Sequence, residues 1–357
     1  MRPSSHVGLH TQLLAYDITQ SDGVNVGVNL AQTVPPRSPG ETAYPRRTYQ
    51  FYAGHLEREG KPVSQVVRNV DNIKATPIEF GGLNLLPADP IKQGQKGLGG
   101  AMAILPLGAT WTEDVGMRAA ATVRAPKQAE YRDFSLIWHR SLNMRWANGR
   151  PVQNIAPEGF GVPGDPEDNS DMAVNYKSEP LWYRFAKAPD APFGIAGGNG
   201  WGAIPNAHMA YSNALVGGDP VTPILTVKPG QPFRTHVTMP SGGGRGSSYQ
   251  LDGHLFPQEP YLSEKVDASG YPVKYAGVGS VRFGNNPLTR FGGAQESVLP
   301  AAHFNFMYPS AGGLNAIPGD YLYRDFAALG NTGGLWGLLR VTIQQQPVST
   351  NTGGTVR

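Results

Sequence analysis

Short segments in which apolar and polar residues alternate recur along the whole chain. They are rich in β-branched and aromatic residues and are bounded by turn residues, which is typical of β-strands. Few segments have the three-to-four-residue spacing of an amphipathic helix. The pattern therefore predicts an all-β fold built of sandwiches. The predicted strands lie at residues 12–19, 47–56, 100–106, 134–139, 223–239, 247–256 and 334–343.

A repeated motif indicates two domains. A Gly-Leu-x-Gly step that leads into an apolar strand occurs at residues 95–106 and again at 332–343. A polar pair within a strand precedes each copy, in HTQLLAYD and in LDGHLFPQ. Such internal repeats mark repeated structural units, and 357 residues suffice for two cores. We predict domain 1 at 1–120, domain 2 at 121–345 with a long insertion at about 150–220, and a flexible tail at 346–357.

Composition narrows the classes of function. The 46 glycines and 32 prolines suit short strands joined by tight turns. The net charge is only +3 and the basic residues are scattered, so no nucleic-acid partner is expected. No apolar run approaches the roughly 18 residues of a membrane span, and the first residues lack the hydrophobic core of a signal peptide. Cysteine is absent, which excludes disulfides, zinc–thiolate sites and a blue copper site with its thiolate ligand.

Six segments, taken in order over most of the chain, resemble one family. They are HTQLLAYDITQSDGVNVGVN, PGETAYPRRTYQFYAG, IKQGQKGLGGAMAILPLGATW, PEGFGVPGDPEDN, LDGHLFPQEPY and PGDYLYRDFAALGNTGGLWGLLRV. Together they resemble the C-terminal pair of cupredoxin domains of large bacterial multicopper oxidases, the group that includes manganese oxidases. The resemblance implies two tandem cupredoxin-like Greek-key β-sandwiches. It also implies an extracellular, periplasmic or cell-surface location.

The resemblance also implies that most copper ligands have been lost. In that family, the last strand of a copper-bearing domain carries His-Cys-His, with another histidine four residues later, ahead of Gly-Leu or Gly-Met. Counted back from Gly334, the domain 2 positions are Arg324, Asp325, Phe326 and Gly330. Counted back from Gly97, the domain 1 positions are Pro87, Ala88, Asp89 and Gln93. Carboxylate oxygen is a poor substitute for thiolate and imidazole around copper.

The other copper ligands of the family come from His-x-His pairs, in which strand alternation directs both imidazoles to one ion. Here His10 is paired with Gln12, and Asp252 is paired with His254. Each pair keeps one histidine, so a three-copper centre that reduces oxygen is not expected. His10, Asp252 and His254 remain candidate metal ligands, and the last two suit a mononuclear zinc, manganese or copper site. The alternative is that each histidine is hydrogen-bonded within the fold and binds no metal.

Two main classes of function remain. In the first, the chain is a non-catalytic structural or assembly subunit, or the C-terminal half, of a multicopper-oxidase-type protein. It then binds no cofactor itself and braces a copper-bearing partner. In the second, it belongs to a copper-dependent oxidase of metal ions or phenols, whose copper sites are completed elsewhere. A lone metal-binding module is a third, weaker class.

Domain 1 begins almost at its polar pair, without the strands that precede the pair in domain 2. A sandwich without those strands exposes an unpaired edge and an open core. We therefore expect another chain, or missing N-terminal domains, to complete domain 1. By itself the chain is expected to be inactive.

Overall fold

The computed structural model describes residues 3–58, 73–89, 91–140, 142, 147–149, 172–185, 206–216, 218–242, 246–258, 289–326 and 328–343. Most of the predicted insertion and the whole predicted tail lie outside these ranges. The strands are β1 (Leu9–Thr11), β2 (Gly54–Arg58), β3 (Ile73–Pro77), β4 (Gly81–Pro87), β5 (Gly100–Ile104), β6 (Thr110–Asp114), β7 (Met117–Arg124), β8 (Tyr131–His139), β9 (Ala173–Val174), β10 (Ile224–Val227), β11 (Phe233–Thr238), β12 (Ser247–Leu251), β13 (Phe256–Pro257), β14 (Phe291–Gly292), β15 (Ala294–Val298), β16 (His303–Tyr308), β17 (Gly319–Arg324) and β18 (Trp336–Val341). The helices are α1 (Leu181–Arg184), α2 (Asn213–Val216) and α3 (Ala328–Gly333), with 3₁₀ turns at Gly94–Lys96 and Ala207–Met209.

The all-β prediction is confirmed. Strands far outnumber helices among the described elements, the helices span four to six residues each, and the sheets are open. No described helix is long and apolar enough to cross a lipid bilayer.

Two sheets packed face to face form the larger part of the described structure. The five-stranded sheet has the order β10-β18-β17-β12-β15, and the six-stranded sheet has the order β16-β11-β8-β7-β6. The alternation predicted for β8 places Phe134, Leu136 and Trp138 in the apolar core. The rings of Phe233 and Tyr308 stack there with centroids 4.5 Å apart. Burial of these rings is the main source of the stability of the sandwich.

The N-terminal region contributes a three-stranded sheet, β1-β4-β5, and a separate β2-β3 ribbon. The three-stranded sheet lies on the outer face of the six-stranded sheet. Gly82 N–H donates to Asn305 Oδ1 (2.8 Å), and Asn84 Nδ2 donates to Ala302 O (2.9 Å). A Cβ on Gly82 would lie 2.5 Å from Cβ of His236, so only glycine permits this approach. The two regions are therefore joined through a closely packed polar layer.

The hairpin of β6 and β7 belongs to the six-stranded sheet. Residues Ala120–Val123 of β7 pair with β8, so the predicted boundary after residue 120 falls within a strand. The division into domains at 1–120 and 121–345 stays a prediction.

The strand predicted at 12–19 is wrong, because β1 ends at Thr11. Leu13 has a φ of 62°, in the left-handed region, which interrupts an extended strand. The Asp17 carboxylate then accepts hydrogen bonds from the N–H (2.8 Å) and hydroxyl (2.7 Å) of Thr19. This is the local bonding by which aspartate favours a turn over a strand. The apolar alternation of this segment therefore lies in a loop.

The strand predicted at 47–56 is largely wrong, because β2 begins only at Gly54. The residues before it form a single β-bridge, between Tyr52 and Ala15, and are otherwise held by side chains. The Arg47 guanidinium donates to the carbonyl of Ala31 (3.0 Å), and the Tyr49 hydroxyl donates to that of Gln32 (2.7 Å). These bonds satisfy the loop carbonyls and leave the segment outside any sheet.

We predict that Phe306→Ala lowers the free energy of unfolding by about 3–5 kcal/mol. Phe306 is 3% exposed, and its ring lies 4.8 Å from that of Tyr249 and 4.6 Å from that of Phe256. Urea denaturation measures the change. The control is Phe291→Ala, since that ring is 61% exposed and its loss should cost less than about 1 kcal/mol. Equal losses in the two variants would contradict a core between the two sheets.

Candidate functional site

The predicted domain 2 positions lie together where β17 leaves the five-stranded sheet toward α3. Arg324 is the register partner of Gln250 on β12 and of Trp336 on β18. Directly paired residues of antiparallel strands project from the same face. Arg324, Gln250 and Trp336 therefore share the outer face of the sheet, and Asp325 turns toward its interior.

Asp325 is fully buried and ties three strands together. Its Oδ1 accepts hydrogen bonds from the backbone N–H of Ser248 (2.8 Å) and from the Ser248 hydroxyl (3.0 Å). That hydroxyl in turn accepts from the N–H of Phe326 (2.9 Å). The N–H of Asp325 donates to the carbonyl of Leu335 (2.8 Å). A buried carboxylate needs such donors, and the bonds fasten the end of β17 to β12 and to the start of β18.

Helix α3 passes over this carboxylate at Gly330. A Cβ at position 330 would overlap the Oδ2 and Cγ atoms of Asp325. The Asp325 side chain therefore fills the volume into which a side chain at position 330 would project. The two positions are complementary in shape, and neither has room for the ligand that the resemblance places there.

Arg324 brings a permanent positive charge to the same place. Its guanidinium lies over the ring of Phe326, 5.2 Å from the centroid, and its NH2 atom is 3.8 Å from Oδ2 of Asp252. A guanidinium does not lose its proton in proteins, so it repels any cation that approaches. A guanidinium, a carboxylate held by a serine, a phenyl ring and a glycine do not fit copper.

His254 is buried in an aromatic cage, with ring centroids 5.5 Å from Phe233 and 4.7 Å from Tyr321. Its Nδ1 lies 3.1 Å from the carbonyl of Asp252, an acceptor, so Nδ1 carries the proton. Its Nε2 accepts the backbone N–H of Gly312 (3.0 Å). Burial lowers the pKa of His254, which favours this neutral form. The one lone pair that the neutral ring could offer a metal is therefore used by the backbone.

Asp252 does not join His254 through its carboxylate. Its Oδ1 accepts a hydrogen bond from Nε2 of Gln250 (2.8 Å), and its Oδ2 faces Arg324. Only the backbone carbonyl of Asp252 contacts the histidine ring. Asp252 and His254 thus meet through one backbone hydrogen bond, and their role as metal ligands stays a prediction.

His10 has a different environment. Its Nδ1 lies 3.0 Å from Oδ1 and 3.2 Å from the backbone carbonyl of Asp22, so Nδ1 carries the proton. The Tyr16 hydroxyl also donates to Oδ1 of Asp22 (3.0 Å). Burial, aided by the Asp22 carboxylate, raises the pKa of Tyr16 to about 12, so the phenol stays a donor. In the described part of the chain, Nε2 of His10 has no hydrogen-bond partner, and the side chain is 30% exposed.

Gln12 turns away from His10. Its Oε1 accepts from Nδ2 of Asn84 (3.1 Å), and its Nε2 donates to the carbonyl of Ala301 (3.1 Å). The side chains of His10 and Gln12 therefore do not face one common site. Gln12 instead joins the N-terminal sheet to the sandwich.

The remaining domain 1 positions lie at the end of β4 and in the turn that follows it: Pro87, Ala88, Asp89 and Gln93. Gln93 Nε2 donates to the carbonyls of Ser4 (2.9 Å) and His6 (2.8 Å). Oδ2 of Asp89 accepts the N–H of Ser4 (2.9 Å), which holds the pKa of that carboxyl below its usual value. These positions fasten the chain that leads into β1.

Within the ranges that the structure describes, no three His, Asp or Glu side chains gather closely enough to share a metal ion. The sequence-based interpretation missed Asp22, Tyr16 and Ser248, which give the candidate residues their partners. Asp22 lies 12 positions after His10, beyond a segment predicted to be a strand. An extended strand would have carried it far from the histidine, so the local pattern pointed away from this contact.

We predict that Gly330→Ala lowers the free energy of unfolding by about 1–3 kcal/mol through overpacking against Asp325. In the Asp325→Ala background the same change should cost less, because the clashing carboxylate is gone. A double-mutant cycle followed by urea denaturation measures this coupling. The control is Gly218→Ala, where a Cβ meets nothing within 4 Å. Strict additivity of the two site substitutions would contradict the packing described above.

Comparison with known proteins gives structural likeness only. No protein-family profile and no curated protein matches the chain. The copper nitrite reductase from Nitrosomonas europaea is similar at 11% identity and a TM-score of 0.41, over 98% of this chain and 78% of that one. The multicopper oxidase mgLAC is similar at 15% identity and a TM-score of 0.45, over 98% and 73% of the two chains. The blue copper oxidase from Nitrosomonas europaea is similar at 14% identity and a TM-score of 0.40, over 96% and 70%.

Proposed function

We propose that the chain is a non-catalytic structural or assembly subunit, or the C-terminal half, of a multicopper-oxidase-type protein. The observation that carries the proposal is the environment of the Asp325 carboxylate. At a position where the resemblance expects a copper ligand, this carboxylate is buried, bonded to Ser248 and packed against Gly330. The hydrogen bonds of this carboxylate join neighbouring strands, and a bound metal would have to displace them.

His254 supports the same proposal. Because its Nδ1 donates to Asp252 and its Nε2 accepts from Gly312, the ring closes the turn after β12. Metal binding through Nε2 would leave the buried N–H of Gly312 without its acceptor, which costs about 1–3 kcal/mol. The second domain thus supplies a rigid frame on which a copper-bearing partner could rest. An exported location, as the family resemblance implies, belongs to this proposal.

The N-terminal sheet is the proposed site of assembly. In the described residues, β5 pairs with β4 alone, so its other edge offers free backbone groups to a strand of a partner. The loop that follows β1 also presents apolar side chains to solvent, since Val28 is fully exposed and Leu30 is 79% exposed. Apolar exposure of this kind is typical of surfaces that are covered in an assembly. A partner chain or further N-terminal domains would complete this sheet.

One observation favours the alternative, in which the chain contributes to a copper-dependent oxidase whose sites are completed elsewhere. His10 keeps its Nε2 lone pair available while Asp22 holds its Nδ1–H. This carboxylate–histidine pairing is the usual support of a metal-ligating imidazole. His10 would then supply one ligand to a copper ion held mainly by another chain. Oxygen reduction would still depend on histidines of that chain.

The experiment is a metal analysis of the protein purified from its native source with its associated chains. We expect a co-purifying chain, and copper that stays with that chain when the two are separated. His10→Ala should leave the copper content of the complex unchanged, as should the control His208→Ala at an exposed histidine. Plasma mass spectrometry gives the copper-to-protein ratio.

Three outcomes would contradict the proposal. Stoichiometric copper that remains on this chain after separation would overturn the non-catalytic assignment. A loss of copper in His10→Ala alone would favour the oxidase alternative. A chain that purifies alone, without further N-terminal domains, would overturn the assembly role.

A further inference from the structure

Charged side chains are buried between the N-terminal sheet and the six-stranded sheet. His236 and Arg234 project from β11, and Asp133 projects from the neighbouring β8. The side chains of His236 and Asp133 are 2% and 6% exposed. Arg234 forms an ion pair with Glu79, whose side chain is also 6% exposed and lies just before β4. Buried charges of this kind persist only when they are paired.

The hydrogen bonds of Asn305 fix which of its atoms faces His236. Its Nδ2 donates to the carbonyl of Phe80 (2.9 Å), and its Oδ1 accepts the N–H of Gly82 (2.8 Å). Two backbone groups of the N-terminal region thus set the orientation of the amide. The atom that lies 2.6 Å from Nδ1 of His236 is therefore the oxygen, an acceptor.

The other ring nitrogen of His236 also faces an acceptor. Its Nε2 lies 2.6 Å from Oδ1 of Asp133. The N–H of Gly82 also lies 3.2 Å from Nδ1, but its shorter bond, 2.8 Å, goes to Oδ1 of Asn305. With an acceptor 2.6 Å from each ring nitrogen, a neutral imidazole would set a lone pair against one of them. The geometry therefore favours an imidazolium, paired with a carboxylate on one side and with the amide of Asn305 on the other.

The direction of the shift in the pKa of His236 agrees with the geometry. Burial by itself lowers the pKa of His236, but the charge of Asp133 and the hydrogen bonds to Asp133 and Asn305 outweigh it and raise the pKa. The positive charge of Arg234 opposes the rise. On the same face of β16, burial lowers the pKa of His303, so that ring is neutral and adds no charge near neutral pH. Glu79 from the N-terminal region is engaged by Arg234.

We propose that His236 is a pH-sensitive latch whose imidazolium form holds the N-terminal sheet on the sandwich and whose deprotonation loosens it. Loss of the proton leaves Asp133 as a buried carboxylate without its cation. It also sets a ring lone pair against Asn305 or Asp133. Asn305 is hydrogen-bonded to the backbone of Gly82 and Phe80. A change in the position of its amide therefore acts directly on β4. The device is independent of any metal or partner assigned above.

The direction of the pH dependence follows from linkage. The pKa of His236 is higher in the folded protein than the ordinary value of about 6.5. The latch therefore contributes its full stability below about pH 6.5 and loses it as the pH rises through the raised pKa. Between the ordinary value and the raised pKa, one linked proton lowers the protection of the latched region by up to about tenfold per pH unit, and above the raised pKa the loss is complete.

Hydrogen exchange of the full chain, followed by mass spectrometry from pH 6 to 10, tests the proposal. Rates are corrected for the intrinsic pH dependence of exchange, and peptides from β4 and β5 are compared with peptides from β17 and β18. We expect protection of β4 and β5 to fall with rising pH relative to that reference. His236→Gln should abolish this relative fall, and the control His303→Gln should preserve it. A constant ratio in the wild type, or a fall that persists in His236→Gln, would overturn the latch.

Nitrogen NMR of the histidine rings in the wild-type chain gives a second test that needs no variant. At pH 6.5, the His236 ring should show two protonated nitrogens, and one of them should lose its proton as the pH rises. A single-tautomer neutral pattern for that ring at pH 6.5 would overturn the proposal, whatever the stability of the variants.

Discussion

Strand β11 is buried on both faces, and the arrangement of the two regions depends on that constraint. One face places Phe233 and Val237 in the apolar core. The other face carries Arg234 and His236, whose charges cannot be buried alone. Glu79, just before β4, pairs with Arg234, and Asp133 of β8 lies beside His236. These pairing requirements constrain the position of the N-terminal sheet.

The positions where the resemblance expects copper also contain buried polar groups that must be paired. A buried polar group left without partners costs about 1–3 kcal/mol, so each such group needs a hydrogen-bond partner. Asp325 accepts a hydrogen bond from Ser248, and His254 accepts one from Gly312. Gly330 leaves room for the carboxylate. The loop between β17 and β18 can therefore keep its shape without metal, because apolar burial between the sheets stabilises the fold.

Local pattern predicted much of the sandwich, because its strands alternate toward one core. It failed at residues 12–19, where the left-handed backbone of Leu13 breaks an alternating segment. It also missed the latch. The alternation of Arg234 and His236 along β11 resembles an ordinary solvent-facing side of a strand. Only the N-terminal sheet, about 150 residues earlier in the chain, buries that side. Contacts at such separation leave no periodic signal in the sequence.

We infer that the predicted copper positions of domain 2 serve packing and hydrogen bonding. The most direct measurement is an anomalous difference map, recorded at the copper absorption edge, from crystals grown with copper(II). We expect no peak within bonding distance of Nε2 of His254 or of the Arg324–Phe326 segment. An ordered peak at either place, with His254 or Asp325 turned toward it, would contradict the account.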